Sequence, residues 1–388
     1  MRDVAIIGVG MTKFGKFLNK GLKDLGREAL WLTLKDAGIK PQQLQFAYAA
    51  NGLAGLITGQ EGIRGQVILR DAGLGGIPIV NVENACASAS TAFREAYMMI
   101  AGGFYDIGLA IGVEKLYCED VSKSVRALAA DSDIEISARF GLQFTAFYAL
   151  ALRKFMAQRA LTKHHLAKVV VKNSYNGSLN PLAQYRRALT EEEVLSSRLI
   201  ADPLTLYMCA PMGDGAAAAI LCSADLALKL TDKPLVKVAA SAMRSGQFHP
   251  PQEEHPSVVT LAAKEAYEKA GVGPEDINVT EVHDAMAPAE LMIYEELGYG
   301  KGEEVGRMIE EGVTAISGKK PVNPSGGLAS KGHPVGATGL AMISEIVWQL
   351  RGEAGARQVK NPRIGLIENA GGMVEGEPAA CCVTILKK

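Results

Sequence analysis

The chain alternates between short runs that are apolar at nearly every position and longer stretches of helical period. Residues 3–10 read as a strand buried on both faces, where apolar side chains need not alternate with polar ones. Residues 22–37 carry apolar positions at helical spacing and run into Gly38-Ile39-Lys40-Pro41, a glycine stop followed by proline. Residues 78–82 form a short apolar strand, residues 87–102 a helix rich in small side chains, and residues 106–113 (D-I-G-L-A-I-G-V) a central strand. Gly8-Val9-Gly10 follows the first strand, but the next glycine is Gly15, so the dinucleotide-binding spacing is not met.

The pattern changes over residues 116–200, where charges, aromatics and helix formers replace the strand-like runs. Helices are expected near 141–158 and 164–175, and Asn173 to Gln184 (N-S-Y-N-G-S-L-N-P-L-A-Q) reads as a polar loop. This region is expected to be an insertion that covers a site. Strand character returns at Gly215–Leu221 and Leu235–Ala240.

Beyond that point the pattern repeats. Ala270-Gly271-Val272-Gly273-Pro274 lies 233 positions after Ala37-Gly38-Ile39-Lys40-Pro41, and Ile364-Gly365-Leu366 lies 257 after Ile107-Gly108-Leu109. A drifting offset is what two copies of one strand–helix–strand unit would leave after small loop insertions.

The chain has 388 residues, 48% of them hydrophobic and 21% charged, which fits an α/β enzyme of two or three subdomains. A net charge of −1 argues against a nucleic-acid or membrane-surface binder. No apolar run reaches about 18 residues, so no membrane span is expected. The N-terminal residues already read as a strand, so no signal peptide is expected. The six cysteines form no C-x-x-C pair, so reduced cytoplasmic thiols are expected rather than disulfides or a metal site.

Two stretches carry the chemistry. Lys331–Gly339, K-G-H-P-V-G-A-T-G, is a glycine-lined turn that delivers His333 to the start of an apolar helix, where free backbone N–H groups lie. Asn84–Ala92, N-A-C-A-S-A-S-T-A, has the same shape with Cys86 in place of the histidine, and His333 lies 247 positions after Cys86. Duplicated halves packed face to face would bring the two to equivalent positions. A cysteine is more often a core residue, but a helix N-terminus lowers a thiol pKa and suits a nucleophile.

These stretches, with V-H-D-A-M at Val282–Met286, E-N-A-G-G at Glu368–Gly372, G-V-E-K at Gly112–Lys115 and M-G-D-G-A-A-A at Met212–Ala218, resemble the thiolase superfamily. They are most similar to the branch of sterol carrier protein X and the archaeal acetoacetyl-CoA thiolases. The resemblance covers nearly the whole chain. It implies two βαβαβαββ halves in a five-layered αβαβα arrangement. Residues 1–115 and 206–230 would form the first half, 116–205 a loop domain over the active site, and 231–388 the second half. It also implies a homodimer, coenzyme A as a substrate with no tightly bound cofactor, and no metal. Some relatives need a small partner subunit with a zinc ribbon and an OB fold.

The resemblance implies Cys86 as the nucleophile and His333 as its proton acceptor. His283 would donate to an oxyanion or fix a water, Asp284 would orient a neighbour, and Gly371 with the Cys86 N–H would form a second oxyanion hole. Two departures stand out. Asn369 occupies the place of one acid/base cysteine of the superfamily, and Ala285 the place of its counterpart in this branch. A carboxylate of raised pKa could move that proton, and Glu368 is the candidate, with Tyr148 or Tyr294 as further ones. Cys381 and Cys382 read as core, and His164, His165, His249 and His255 as surface or loop residues. The expected activity is cleavage of a 3-oxoacyl-CoA carrying a branched, aromatic or steroid-derived acyl chain in a degradative pathway. The alternatives are an aldolase acting on a 3-hydroxyacyl-CoA and a non-catalytic acyl-CoA or lipid-binding scaffold.

Overall fold

A computed structural model of the protein describes residues 2–136, 141, 143–250 and 255–388. The first-half strands are β1 (Val4–Met11), β2 (Ala47–Ala50), β3 (Ile79–Val82), β4 (Ile107–Glu114) and β7 (Gly215–Ser223). Between β4 and β7 lie a small ribbon, β5 (Leu199–Ala201) with β6 (Leu204–Thr205), and helices at Val121–Ala129, Phe144–Arg159, Lys163–Leu179 and Glu191–Ser196. The second-half strands are β8 (Val236–Ser245), β9 (Val279–Glu281), β10 (Ile364–Gly371) and β11 (Ala380–Lys387).

The main sheet runs β3-β2-β4-β7-β1-β8-β11-β10-β9. Its two halves meet in a short pairing of Ala5 and Ile6 with Lys237 and Val236. Read outward from that seam, β1-β7-β4-β2-β3 and β8-β11-β10-β9 are the same order twice. A parallel bridge between Thr280 and Val322 stands where the second half would have its outer strand. Helices Ser88–Ala101 and Thr338–Arg351 touch each other and contact strands of both halves. Leu22–Ala37 covers the far face of the first half and Val258–Ala270 that of the second. These are five layers, αβαβα, in the thiolase fold.

The strands alternate between two cores, which explains their uninterrupted apolar runs. Val4, Ile6, Val9 and Met11 pack against the central helices, whereas Ala5 and Ile7 pack under Leu22–Ala37. Gly8 and Gly10 belong to this packing rather than to a nucleotide. A Cβ on Gly8 would lie 2.6 Å from Ala37 Cβ, and one on Gly10 2.8 Å from the Thr33 nitrogen.

The polar loop expected at Asn173–Gln184 is instead helical through Leu179. Its asparagines, Asn173, Asn176 and Asn180, are buried partners, not solvent-facing ones. Asn173 Nδ2 donates to Asp284 and Glu290, and Asn176 Nδ2 to the Asn323 carbonyl. A residue that pairs inside reads, in sequence, like one that faces water.

Replacing Gly8 with alanine should cost about 1–3 kcal/mol, the usual range for overpacking a filled core. Urea unfolding with an unchanged slope would register it, and an unchanged midpoint would rule out the tight approach of Leu22–Ala37 to β1.

Candidate active site

Cys86 sits in a single 3-10 turn, Ala85–Ala87, that leads into Ser88–Ala101. The turn is held in a strained form, with Ala85 at φ 48°, in the left-handed region that a side chain disfavours. Asn84 N–H donates to Ser88 Oγ, and Ser88 Oγ–H to the Ala85 carbonyl, at 2.8 and 2.6 Å. His333 precedes an equivalent turn, Val335–Ala337, that leads into Thr338–Arg351. The two central helices therefore open towards one place.

Cys86 Sγ lies 3.2 Å from His333 Nε2, and His283 Nε2 lies 3.4 Å from the same nitrogen. The imidazole of His333 is oriented from behind. Thr338 Oγ1 donates its proton to the Pro334 carbonyl at 3.0 Å, so it accepts at 2.8 Å from His333 Nδ1–H. That network assigns the proton to Nδ1 and leaves Nε2 as an acceptor facing the thiol.

Burial, with the neighbouring His283 and Lys331, pushes His333 well below its ordinary value, and burial brings His283 down to about 4. Burial also pushes the Cys86 thiol up, and the Asp131 and Glu114 carboxyls add to that. The N–H groups of Gly372 and Cys86 pull the other way. The resting pair is a neutral thiol beside a neutral imidazole. The expectation that a helix start alone lowers this thiol's pKa is outweighed by desolvation.

A cavity of about 250 Å³ opens over these groups. Cys86, His283, His333, Gly371 and Gly372 line it, with Leu116, Val125, Leu128, Phe144, Met286 and Met373 as apolar wall. Asp131, Tyr148 and Cys209 line it too, and among the described residues no Lys or Arg does. Gly371 admits no side chain, because a Cβ there would lie 2.4 Å from both the Ala87 nitrogen and the Asn84 oxygen.

Three other sequence candidates lie behind this surface. Asp284 is fully buried, and its carboxylate accepts from Leu328 N–H at 2.8 Å and Asn173 Nδ2 at 2.9 Å. Asn369 Oδ1 accepts from Ser90 Oγ at 2.8 Å, tying β10 to the Cys86 helix. Glu368 Oε2 accepts from His283 N–H at 2.9 Å and Oε1 from Cys381 Sγ at 3.6 Å. Burial raises the Glu368 carboxyl to about 8, yet it does not line the cavity. Tyr294 is also remote, donating to Glu290 and accepting from the Thr314 hydroxyl. Asp131 and Cys209 were not singled out from sequence, and Thr338 was visible only as the repeat counterpart of Thr91, without its tautomer-fixing role. Only Thr338 lies inside a recognised motif.

Sγ of Cys86 and the two Nε2 atoms lie within 4.8 Å of one another, a spacing a divalent cation could bridge. His283 Nδ1, however, is buried without the acceptor that orients a metal-bound imidazole. His249, His255 and Glu377 form a second such group. There the two imidazoles are stacked, with centroids 3.4 Å apart and planes at 15°, so their lone pairs run parallel rather than converging.

Family models described as "Thiolase, N-terminal domain" and "Thiolase C-terminal domain-like" match residues 4–225 and 240–387. An acetyl-CoA acetyltransferase of Methanothermobacter thermautotrophicus is 44% identical, the match covering 96% of this chain and 97% of that protein. The benzoylsuccinyl-CoA thiolase subunit BbsB of Thauera aromatica is 37% identical, covering 96% and 95%. Among solved structures, an Ltp2-ChsH2(DUF35) aldolase superposes with a TM-score of 0.81 at 23% identity, covering 98% and 97%, a likeness of fold.

The buried carboxyls predict a sign for stability against pH. Asp131 and Glu368 titrate near about 8 when folded, against ordinary values of 3.8 and 4.5. The native state then keeps protons that the unfolded chain has released, so these groups lower stability as pH rises towards 8. His283 acts with the opposite sign, but only between about 4 and its ordinary 6.5. The midpoint of thermal unfolding should therefore fall between pH 6.5 and 8, and fall less in Glu368→Gln. Equal slopes in both proteins would contradict the assignment of a neutral buried Glu368.

Proposed function

The chain belongs to the thiolase family and is an acyltransferase, and from that premise we propose that it cleaves a 3-oxoacyl-CoA with coenzyme A through an acyl group carried on Cys86. The observation that carries the reading is the 3.2 Å approach of Cys86 Sγ to an unprotonated His333 Nε2. The thiol gives its proton to His333 as sulfur attacks the C3 carbonyl. The C2–C3 bond breaks, leaving an acyl-enzyme and a shorter acyl-CoA. Coenzyme A then takes the acyl group, a thioester-for-thioester exchange of similar energy. His283 donates to an oxyanion from Nε2, and Cys86 N–H with the Gly371–Gly372 backbone supports the acyl carbonyl. Asp284, Asn369 and Glu368 act as positioning residues for the two turns.

The apolar, methionine-rich wall favours an uncharged acyl chain, branched or aromatic. Two further points concern partners. Among the described residues no Lys or Arg lines the cavity to hold the phosphates of coenzyme A, which favours a small zinc-ribbon/OB-fold subunit that completes the binding site. Two similar proteins, the Thauera thiolase subunit BbsB and the aldolase paired with a DUF35 component, agree with this. The edge strand β3, with Val80 47% exposed, leaves an unpaired sheet edge that a second copy could cover in a homodimer. The aldolase reading is the rival, but its chemistry leaves Cys86 without a task.

Intact-mass measurement after mixing the protein with acyl-CoA and 3-oxoacyl-CoA thioesters should show an added acyl mass, absent in Cys86→Ala. No adduct with any thioester, with or without a copurified small subunit, would move the assignment to the aldolase or the scaffold. Light scattering should give a dimer mass, and a monomer would remove the β3 argument.

A further inference from the structure

Breaking a C2–C3 bond leaves an electron pair on C2, and something in the cavity must protonate it. This step rests on the cleavage reading above, and the groups placed so far do not perform it. His333 is engaged with the Cys86 proton, and His283 is assigned to an oxyanion. We infer that Asp131 is the catalytic residue that moves the proton at C2.

The placement comes first. Asp131 lies just beyond helix Val121–Ala129 and lines the same cavity as Cys86. Its backbone is pinned on both sides. Asp131 N–H donates to the Leu128 carbonyl at 3.2 Å, and its own carbonyl accepts from Met373 N–H at 2.9 Å. Ser132 bridges to Met373 in parallel. The segment is thus held against Gly371-Gly372-Met373, which forms another wall of the cavity. The carboxyl itself has no hydrogen-bond partner among the described residues and is free for a ligand.

Its surroundings suit a proton carrier. Glu83 precedes the Cys86 turn and Glu114 ends β4, and both face Asp131 electrostatically along with Cys86. Tyr148, His283 and His333 share the cavity, and no Lys or Arg among the described residues does. Desolvation and the two glutamates raise Asp131 to about 8, so it starts protonated and can both give and recapture a proton near neutrality.

The other groups on the wall fit less well. Cys209 donates to the Thr205 carbonyl at 3.5 Å, and burial raises it to about 11. Burial holds the Tyr148 phenol far above its ordinary value, so it can donate but not recapture a proton. Glu368 has the right pKa but both oxygens are occupied behind the cavity.

The step balances. Cys86 sulfur bonds to C3 while its proton passes to His333. The C2–C3 pair moves to C2, and Asp131 gives C2 its proton, releasing the shorter acyl-CoA and leaving a carboxylate. Incoming coenzyme A gives its thiol proton to that carboxylate as its sulfur attacks the acyl group. Cys86 leaves as thiolate and takes its proton back from His333.

The test separates proton movement at carbon from acyl transfer at sulfur. Wild type, Asp131→Asn and Asp131→Glu, with any copurifying subunit, are mixed with acetyl-CoA in deuterated buffer. Acyl-enzyme is read by intact mass, and C2 deuteration by mass spectrometry of the recovered thioester. Acylation needs no proton at carbon, and without the Asp131 proton coenzyme A can still leave as a thiolate that solvent protonates, so acyl-enzyme should form in all three at the end point. Deuteration should fall by about 100-fold or more in Asp131→Asn, within the usual range for an acid–base group, and return in part in Asp131→Glu. Its dependence on pH should show a limb near 8 in wild type that Asp131→Asn lacks. Deuteration within threefold of wild type in Asp131→Asn, or equal loss in Asp131→Glu with acylation intact, would overturn the assignment. Absence of acyl-enzyme in wild type would instead overturn the cleavage reading on which it rests.

Discussion

One buried carboxylate holds the two halves of this protein in register at the point where the chemistry lies. Glu114 ends β4 and is fully buried. Its Oε2 accepts from Gly52, Leu53 and Gly336 N–H at 3.1, 3.2 and 2.8 Å, and its Oε1 from Lys115 N–H at 3.2 Å. The first two donors lie after β2, in the first half. Gly336 lies in the turn that follows His333, in the second. Without that acceptor, several buried N–H groups would be left unpaired, each at about 1–3 kcal/mol. Glu114 thereby ties the turn that follows His333 to the half of the protein that carries Cys86.

The same solution recurs around His283 and His333. Glu281 accepts from Lys331 Nζ at 2.8 Å and from Ser325 N–H and Oγ–H, with both charges inside the protein. Glu290 accepts from Asn173, Asn323 and Lys172. Such pairs add little net stability over apolar packing, but removing one partner costs about 3–5 kcal/mol. They buy position rather than stability. Two loops that carry imidazoles to one cavity cannot be fixed by hydrophobic contacts alone, since those contacts have no direction. Hydrogen bonds to a carboxylate do have one.

Much of this was legible in the sequence. The strand and helix limits near 3–10, 22–37 and 106–113 follow from burial pattern, and the structure differs from them by a residue or less at Leu22–Ala37 and β4. The Cys86 and His333 turns were visible because a close turn before a helix demands small residues. What sequence could not supply is the direction of side chains in polar stretches. Asn173 and Asn176 read as loop because pairing partners over a hundred positions away are not local signals. Glu368 has a carboxyl raised by low polarity, as expected, but its position on β10 turns it towards His283 N–H and Cys381 instead of the cavity. Asp131 stands in the covering segment, outside every motif, and the pairing of its segment with Met373 holds it at the site.

Duplication explains why a cysteine and a histidine from opposite ends of the chain meet at all. Each half begins its central helix from a tight turn, and packing the two helices side by side makes both turns open on one cavity. The two positions are alike in backbone and therefore free to differ in side chain. One bears a thiol and the other an imidazole, and the difference is reinforced by the residue five positions on from each. Thr338 accepts from His333 Nδ1 and so leaves Nε2 free for the thiol. Its counterpart Thr91 accepts from Asn84 Nδ2 and holds the turn that carries Cys86. A hydroxyl at the same place in each repeat thus fixes a tautomer in one half and a backbone in the other. Both roles are needed before a neutral thiol beside a neutral imidazole can exchange a single proton along a defined 3.2 Å path.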